Sequence, residues 1–274
     1  MLQTIAQALD WAREHIDRAD ARVILQHVLA CDAAYLIAYG GAELDEPRLR
    51  EFHALVGRRI TGEPVAYLTG KREFYGLAFR INPAVLIPRP ETELLVDAAL
   101  EQIPVQGPSR VLDLGTGSGC VAITIAHLRP NAEVVATDAS PEAVALAREN
   151  VSSHGAENVE LRAGDWFDPV RDERFAVIVA NPPYVAAGDP HLMQGDLRFE
   201  PRAALAAGAD GLDCIRAIVA AVPEHLDAGG LLALEHGYDQ GDACRRLLKA
   251  AGFTRVATRR DVAGQERVTT GRHA

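Results

Sequence analysis

No stretch of this 274-residue chain stays apolar for the roughly 18 residues that a membrane-spanning helix needs. Its first segment, MLQTIAQALDWAREHIDRADARV, is amphipathic and studded with charges, unlike the basic-then-apolar layout of a secretory leader. A cytoplasmic protein without a membrane partner is expected. Positive charge is also in deficit. The chain has 28 Lys and Arg against 38 Asp and Glu, a net charge of −10. That argues against nonspecific attraction to nucleic acid or anionic membrane. Two short basic clusters, Gly57-Arg58-Arg59 and Thr258-Arg259-Arg260-Asp261, read as solvated surface. Lysine is nearly missing, with Lys71 and Lys249 the only two, but in an alanine-rich chain this is compositional and excludes no function. The four cysteines, Cys31, Cys120, Cys214 and Cys244, form no Cys-x-x-Cys pair and no Cys/His spacing suited to zinc. Free, buried thiols in a reducing compartment and no metal are expected, with Cys120 in a packing role. Hydrophobic residues at 48% exclude wholesale disorder.

Three regions separate by pattern. Residues 1–73 read as a small helical bundle. Leu2, Ile5, Leu9, Ala12 and Ile16 recur at helical spacing, 21–30 forms a second helix, and 46–62 forms a third with Pro47 in its first turn. Residues 74–90 alternate apolar and polar around Gly76 and Asn82-Pro83, which predicts a hairpin linker. Residues 91–274 open with a helix in ETELLVDAALEQI and then alternate strand and helix. Strands are predicted at 110–115, 133–138, 159–164, 175–181 and 229–237, and helices at 119–129, 140–153, 211–226 and 239–251. A closing hairpin spans 253–261 and 266–272. The fold class is therefore α/β, a mostly parallel, seven-stranded, Rossmann-like sheet with helices on both faces.

VLDLGTGSGC (111–120) is a buried strand, a glycine-rich turn and a helix start. Gly115, Gly117 and Gly119, with Thr116 and Ser118 between them, permit tight backbone geometry and close approach of a ligand. The spacing is GxGxG and not the dinucleotide GxGxxG. Asp138 ends the second strand, where an acid can bind both ribose hydroxyls. The turn alone leaves a dinucleotide and S-adenosylmethionine open. With Asp113 before it, the turn resembles motif I of class I S-adenosylmethionine-dependent methyltransferases. In AGDWF (163–167), Asp165 can accept the adenine amine, and Trp166 or Phe167 can wall the ring or serve the core.

VIVANPPY (177–184) carries the second motif. Two prolines force the chain out of the sheet at Asn181. A planar NH2 on an sp2 carbon is a weak nucleophile. The Asn181 side-chain carbonyl and the Pro182 backbone carbonyl can accept its two N–H groups and draw out the lone pair, while Tyr184 offers a flat face. The motif serves adenine, cytosine and glutamine amides alike.

Taken with FYGLAFRINPAVLIPRPETELLV (74–96), DPHLMQGDLRFEPRAALAAGADGLD (189–213) and LLALEHGYDQG (231–241), these motifs make the chain resemble the release factor glutamine methyltransferase family over essentially its whole length. The resemblance implies methyl transfer from S-adenosylmethionine to the glutamine of the GGQ motif in bacterial class I peptide chain release factors, leaving S-adenosylhomocysteine. It implies cofactor contacts at Gly115, Thr116, Gly117, Ser118, Gly119, Asp138, Asp165, Trp166 and Asn181. Substrate contacts would fall at Asn181, Pro182, Pro183 and Tyr184, with Asn181, Pro182 and Tyr184 in the catalytic roles. Residues 1–73 would dock the release factor, without direct nucleic-acid binding, and a monomer is expected. Arg89, Glu91 and Glu93 of PRPETE would border the site. A carboxylate there would meet the methionine amino group or serve a helix start. RFEP (198–201) would shape the substrate mouth, with Arg198 and Glu200 free to pair with each other.

Overall fold

The computed structural model describes residues 3–274. They divide into two compact units. One is the chain up to Lys71 together with Gln194–Phe199, and the other is Arg72–Met193 with Glu200–Ala274.

The first unit is helical: α1 (Ile5–Arg13), α2 (Arg18–Leu29), α3 (Ala33–Ala38), α4 (Glu46–Ile60) and α5 (Val65–Thr69). Each long helix begins where a side chain can take up an orphan amide. Thr4 and Gln7 form a reciprocal capping box on α1, Asp17 caps α2, and Asp45 caps α4 just ahead of Pro47. The apolar faces meet on Phe52, Ile24, Leu25 and Ile5, all essentially excluded from solvent. The predicted α1 face holds for Ile5, Leu9 and Ala12. Ile16 follows the helix and packs half-buried on the same core, and Leu2 lies outside the described residues. The short helices α3 and α5 were not anticipated.

The hairpin β1 (Lys71–Phe74) and β2 (Leu77–Arg80) leads into the second unit; it starts three residues before the predicted linker and ends two residues before Asn82-Pro83. A two-residue turn joins the strands, with Tyr75 and Gly76 both at positive φ, 54° and 77°, as a type I′ turn requires. After a 3-10 turn at Pro90–Thr92 come α6 (Glu93–Leu100), β3 (Ser109–Leu114), α7 (Cys120–Leu128), β4 (Ala132–Asp138), α8 (Pro141–His154) and β5 (Val159–Ala163). The chain continues through β6 (Phe175–Ala180), α9 (Asp213–His225), β7 (Leu226–Glu235), α10 (Gly241–Ala250), β8 (Thr254–Arg260) and β9 (Glu266–Arg272). The seven strands run in the order β5-β4-β3-β6-β7-β9-β8, all in one direction except β9, which is antiparallel to both β7 and β8.

This order puts the reversal of winding between β3 and β6, the crevice where open α/β sheets bind ligands. Register then fixes which residues emerge together. Leu114 pairs with Thr137 on one side and Ala180 on the other, and Ala180 pairs with Leu234. The glycine turn, Asp138, Asn181 and Glu235 therefore leave the sheet side by side. Alternation along the strands sends Leu112, Leu114, Ile178, Ala180, Leu232 and Leu234 into the core under α9 and α10. It sends Asp113, Asn181 and Glu235 to the opposite face, where α6 and α7 pack.

Candidate active site

A cavity of about 440 Å³ opens at these strand ends, within the roughly 300–1,000 Å³ typical of small-molecule sites. The glycine turn forms one wall. Gly115 and Thr116 both donate backbone N–H to the Thr137 carbonyl at 2.9 Å, hooking the turn onto β4. Asp138 accepts from the Gly117 amide at 2.8 Å and from the Ser140 amide at 2.9 Å. Its carboxylate thus both shapes the turn and faces the cavity. Gly119 serves packing. It has φ of 81°, and a Cβ there would meet Ile123 at 3.0 Å and Ala147 at 3.3 Å. Beneath the turn, Asp113 accepts the Thr116 hydroxyl at 2.7 Å, and burial pushes its pKa up to about 7.

Asn150, fully buried on α8, ties this wall to the hairpin. Its side chain donates to the Ser118 carbonyl at 2.8 Å and the Arg80 carbonyl at 3.1 Å, and accepts from the Arg80 amide at 2.8 Å. Trp166 forms the next wall at a strained φ of 38°, its carbonyl receiving the Thr137 hydroxyl and its ring lying 3.6 Å from where a Gly115 Cβ would stand. Asp165 lines the cavity beside it. Phe167 does not. It is buried in the core and stacks on His225, so the adjacent aromatics divide between site and packing.

Asn181 reaches the cavity with an asymmetric side chain. Its Nδ2 donates to the Thr92 hydroxyl at 3.2 Å, while its Oδ1 is buried without a hydrogen-bond partner. Pro183 also lines the cavity, whereas Pro182 is buried. Tyr184 packs on the core, donates its hydroxyl to Glu235 at 3.3 Å, and has its pKa raised chiefly by burial. Its carbonyl is held by Gln240 at 2.9 Å, and Gly211 is the residue that fits beside it, since a Cβ there would lie 2.2 Å from that oxygen.

The expected pairing of Arg198 with Glu200 does not form. Arg198 donates to the Thr61 carbonyl and lies over Phe199. Glu200, with its side chain excluded from solvent, instead pairs with Arg89 and accepts the Ile87 amide at 3.0 Å. A charged side chain that deeply buried needs partners for its charge and its oxygens, and the 87–89 segment offers a cation and an amide together. Pro201 of RFEP lines the cavity with Ala203 and Ala204 just after it, as does Thr92 of PRPETE. Glu93 accepts the Tyr75 amide at 2.9 Å and sits in the first turn of α6, so it serves the helix start. Sequence reasoning passed over Thr92, Asn150, Glu235 and Gln240. The two basic clusters are neutralised: Arg58 pairs with Glu63, Arg59 with Asp20 and Asp196, Arg259 with Glu101, and Arg260 with Glu266.

All four cysteines are free, with Cys120 and Cys244 buried and Cys31 and Cys214 only half-buried. Among the described residues no group of three His, Cys, Asp or Glu could hold a metal, and no helix is long and apolar enough to cross a membrane. A glycine turn with close-approach geometry, an acid at each of two strand ends, an indole wall and an orphaned amide oxygen fit an adenosyl cofactor bearing a small cationic group.

Comparison with known proteins agrees with this geometry. Residues 1–70 match the PrmC N-terminal domain and residues 91–197 the methyltransferase small domain. A protein of Xylella fastidiosa (strain Temecula1) named release factor glutamine methyltransferase is 50% identical over 95% of each chain. Proteins of that name from Neisseria gonorrhoeae, 48% identical over 94% of each chain, and Escherichia coli K12, 44% identical over 96% of this chain and 98% of that one, also match. A Pyrococcus furiosus methyltransferase shares the fold with TM-score 0.55 at 19% identity, covering 79% of this chain and 96% of its own. So does a T. thermophilus 16S rRNA methyltransferase in complex with AdoMet and guanosine, with TM-score 0.56 at 22% identity, covering 74% and 50%. Identity of this order across nearly the full length, on a class I methyltransferase fold, places the chain in the release factor glutamine methyltransferase family.

Proposed function

We propose that the protein methylates the side-chain nitrogen, N5, of the glutamine in the GGQ motif of bacterial class I peptide chain release factors, and so modulates translation termination. S-Adenosylmethionine, when bound, supplies an electrophilic methyl on a sulfonium sulfur. The observation that carries the reading is the Asn181 Oδ1, a buried acceptor with no partner at the cavity wall. An unmet acceptor there is costly unless a donor arrives, and a primary amide brings two N–H groups.

The chain's own residues divide the work. Gly115 to Ser118, Asp138, Asp165 and Trp166 hold the cofactor, and Gly119 lets the turn pack against Ile123 and Ala147. Asn181 Oδ1 and the Pro182 carbonyl take the two substrate N–H groups and fix the nitrogen for in-line attack. Tyr184 gives the planar amide a flat face, and Pro183 closes that wall. No strong base is needed, because the methylated nitrogen is acidic enough to lose its proton to water or a nearby oxygen. Residues 1–73 dock the release factor, 74–90 link, and 91–274 carry the chemistry, in a cytoplasmic, monomeric, metal-independent enzyme.

Amino-group methylation of nucleic acid uses the same motif chemistry. Against it stand the net charge of −10 and the paired basic clusters. A binding module without turnover is disfavoured by the intact Asn-Pro-Pro-Tyr. Labelled S-adenosylmethionine offered with a purified release factor, its GGQ glutamine-to-alanine variant and duplex DNA separates the three. Label confined to the intact factor supports the reading. Label on DNA alone, or cofactor binding with no transfer, overturns it.

A further inference from the structure

Glu235 ends β7 beside Asn181, is fully buried, and has no part in the chemistry above. We propose that Glu235 is a positioning residue which, through the Thr92 hydroxyl, fixes the way the Asn181 amide faces, so that its carbonyl oxygen and not its amino group meets the substrate nitrogen. The inference rests on the reading that Asn181 receives a substrate amide.

An amide fills nearly the same envelope with oxygen and nitrogen exchanged, so a device must choose between the two. Asn181 Nδ2 donates to Thr92 Oγ1 at 3.2 Å. A hydroxyl that accepts there sends its own proton elsewhere, and Glu235, at the end of the strand paired beside that of Asn181, has a buried Oε2 to receive it; Thr92 favours the ionised carboxylate. No bond of regular geometry reaches Glu235 Oε2, which is buried and otherwise unmet, while Oε1 takes the Tyr184 hydroxyl at 3.3 Å. An ionised carboxylate only accepts, so it orders the donors toward itself, from Asn181 to Thr92 to Glu235. The exchanged amide would aim its NH2 at the NH2 of the substrate. Polarisation along such a chain also makes Oδ1 a better acceptor.

The lock depends on charge. Glu235 faces Thr92 and Glu91 from the 3-10 turn, Tyr184 from the loop after β6, Arg267 from β9 and Cys120 from α7. Glu93 and Asp97 of α6 are taken up by Tyr75. Burial and Glu91 outweigh Thr92, Tyr184 and Arg267, and the carboxyl is pushed up to about 7. Protonated, it can donate to Thr92 and the order of donors is lost. Asp113 titrates in the same range, so the Glu235 limb is identified by difference.

The test is kcat and KM for a purified class I release factor across pH, for wild type, Thr92→Val, Thr92→Ser and Glu235→Gln, with the Kd for S-adenosylhomocysteine measured alongside. Thr92→Val should lower kcat at least about tenfold, with KM and Kd within about threefold of wild type, and Thr92→Ser should restore most of the loss. Wild-type kcat should climb with pH through about 7, and Glu235→Gln should remove part of that limb. Wild-type kcat in Thr92→Val, a serine variant no better than the valine, or an unchanged acid limb in Glu235→Gln would overturn the proposal. The two threonine variants decide the matter if Glu235→Gln does not fold. A wild-type protein that methylates no release factor sinks the proposed function instead, so the two failures are distinct.

Discussion

At the scale of single residues, two buried carboxyls set the pH behaviour of the protein. Asp113 and Glu235 are both pushed up to about 7 by burial. Between the ordinary carboxylate range and 7 the folded chain holds protons that the unfolded chain has lost, so each group's contribution to stability falls as pH rises through that window. The loss is on the order of 3 kcal/mol per group. His53 and His236, held neutral by burial, act in the opposite sense as pH falls. Their effect cancels in the difference between wild type and Glu235→Gln. Thermal melts from about pH 5 to 8 should therefore show the variant losing less stability than wild type as pH rises. Equal slopes would contradict this. Asn181 was legible from sequence because two prolines mark the place where the chain must leave the sheet. Glu235 was not. A glutamate closing LLALE is one of many acids until strand order sets it beside Asn181.

At the scale of elements, the hairpin and α8 brace the glycine turn. Asn150 spends its whole side chain on Ser118 and Arg80, so Asn150→Leu leaves the buried Ser118 carbonyl and the part-buried Arg80 amide and carbonyl without these bonds. It should cost about 2–4 kcal/mol in chemical denaturation and weaken cofactor affinity with it. Tyr75 carries a positive φ in the hairpin turn and is held by Glu93 at its amide and Asp97 at its hydroxyl, 2.9 Å each. Tyr75→Phe should cost about 1 kcal/mol while leaving the turn intact. Long elements were legible because their periodicity is strong, and the strands of the sheet fall within a few residues of expectation. The helices α3 and α5 span fewer than two turns and show no period to detect. The hairpin was placed too late because the apolar alternation runs on through the loop that follows it.

At the scale of the whole chain, two motifs far apart in sequence meet. Glu200 of RFEP is held by Arg89 of PRPETE, and Pro88 and Pro201, each next to one member of the pair, line the cavity. Glu200→Ala leaves Arg89 half-buried without its partner and the Ile87 amide unmet. It should cost about 3 kcal/mol in thermal or denaturant unfolding and raise KM for the protein substrate. Sequence alone offered Glu200 only its neighbour Arg198 and offered Arg89 none, because a pairing between distant segments follows from topology and not from spacing. The α/β class, the order of elements and the two ligand-facing turns were all visible in the chain. Strand order, and with it the neighbours of each turn, was not.

The central claim is that the unmet Asn181 oxygen is the acceptor that makes a glutamine nitrogen reactive. The most direct measurement is single-turnover methyl transfer to an intact release factor by Asn181→Ala, with cofactor affinity measured on the same preparation. The account predicts a rate lowered by about 10²–10³ or more, with cofactor binding weakened but still measurable. Methyl transfer at the wild-type rate would contradict it.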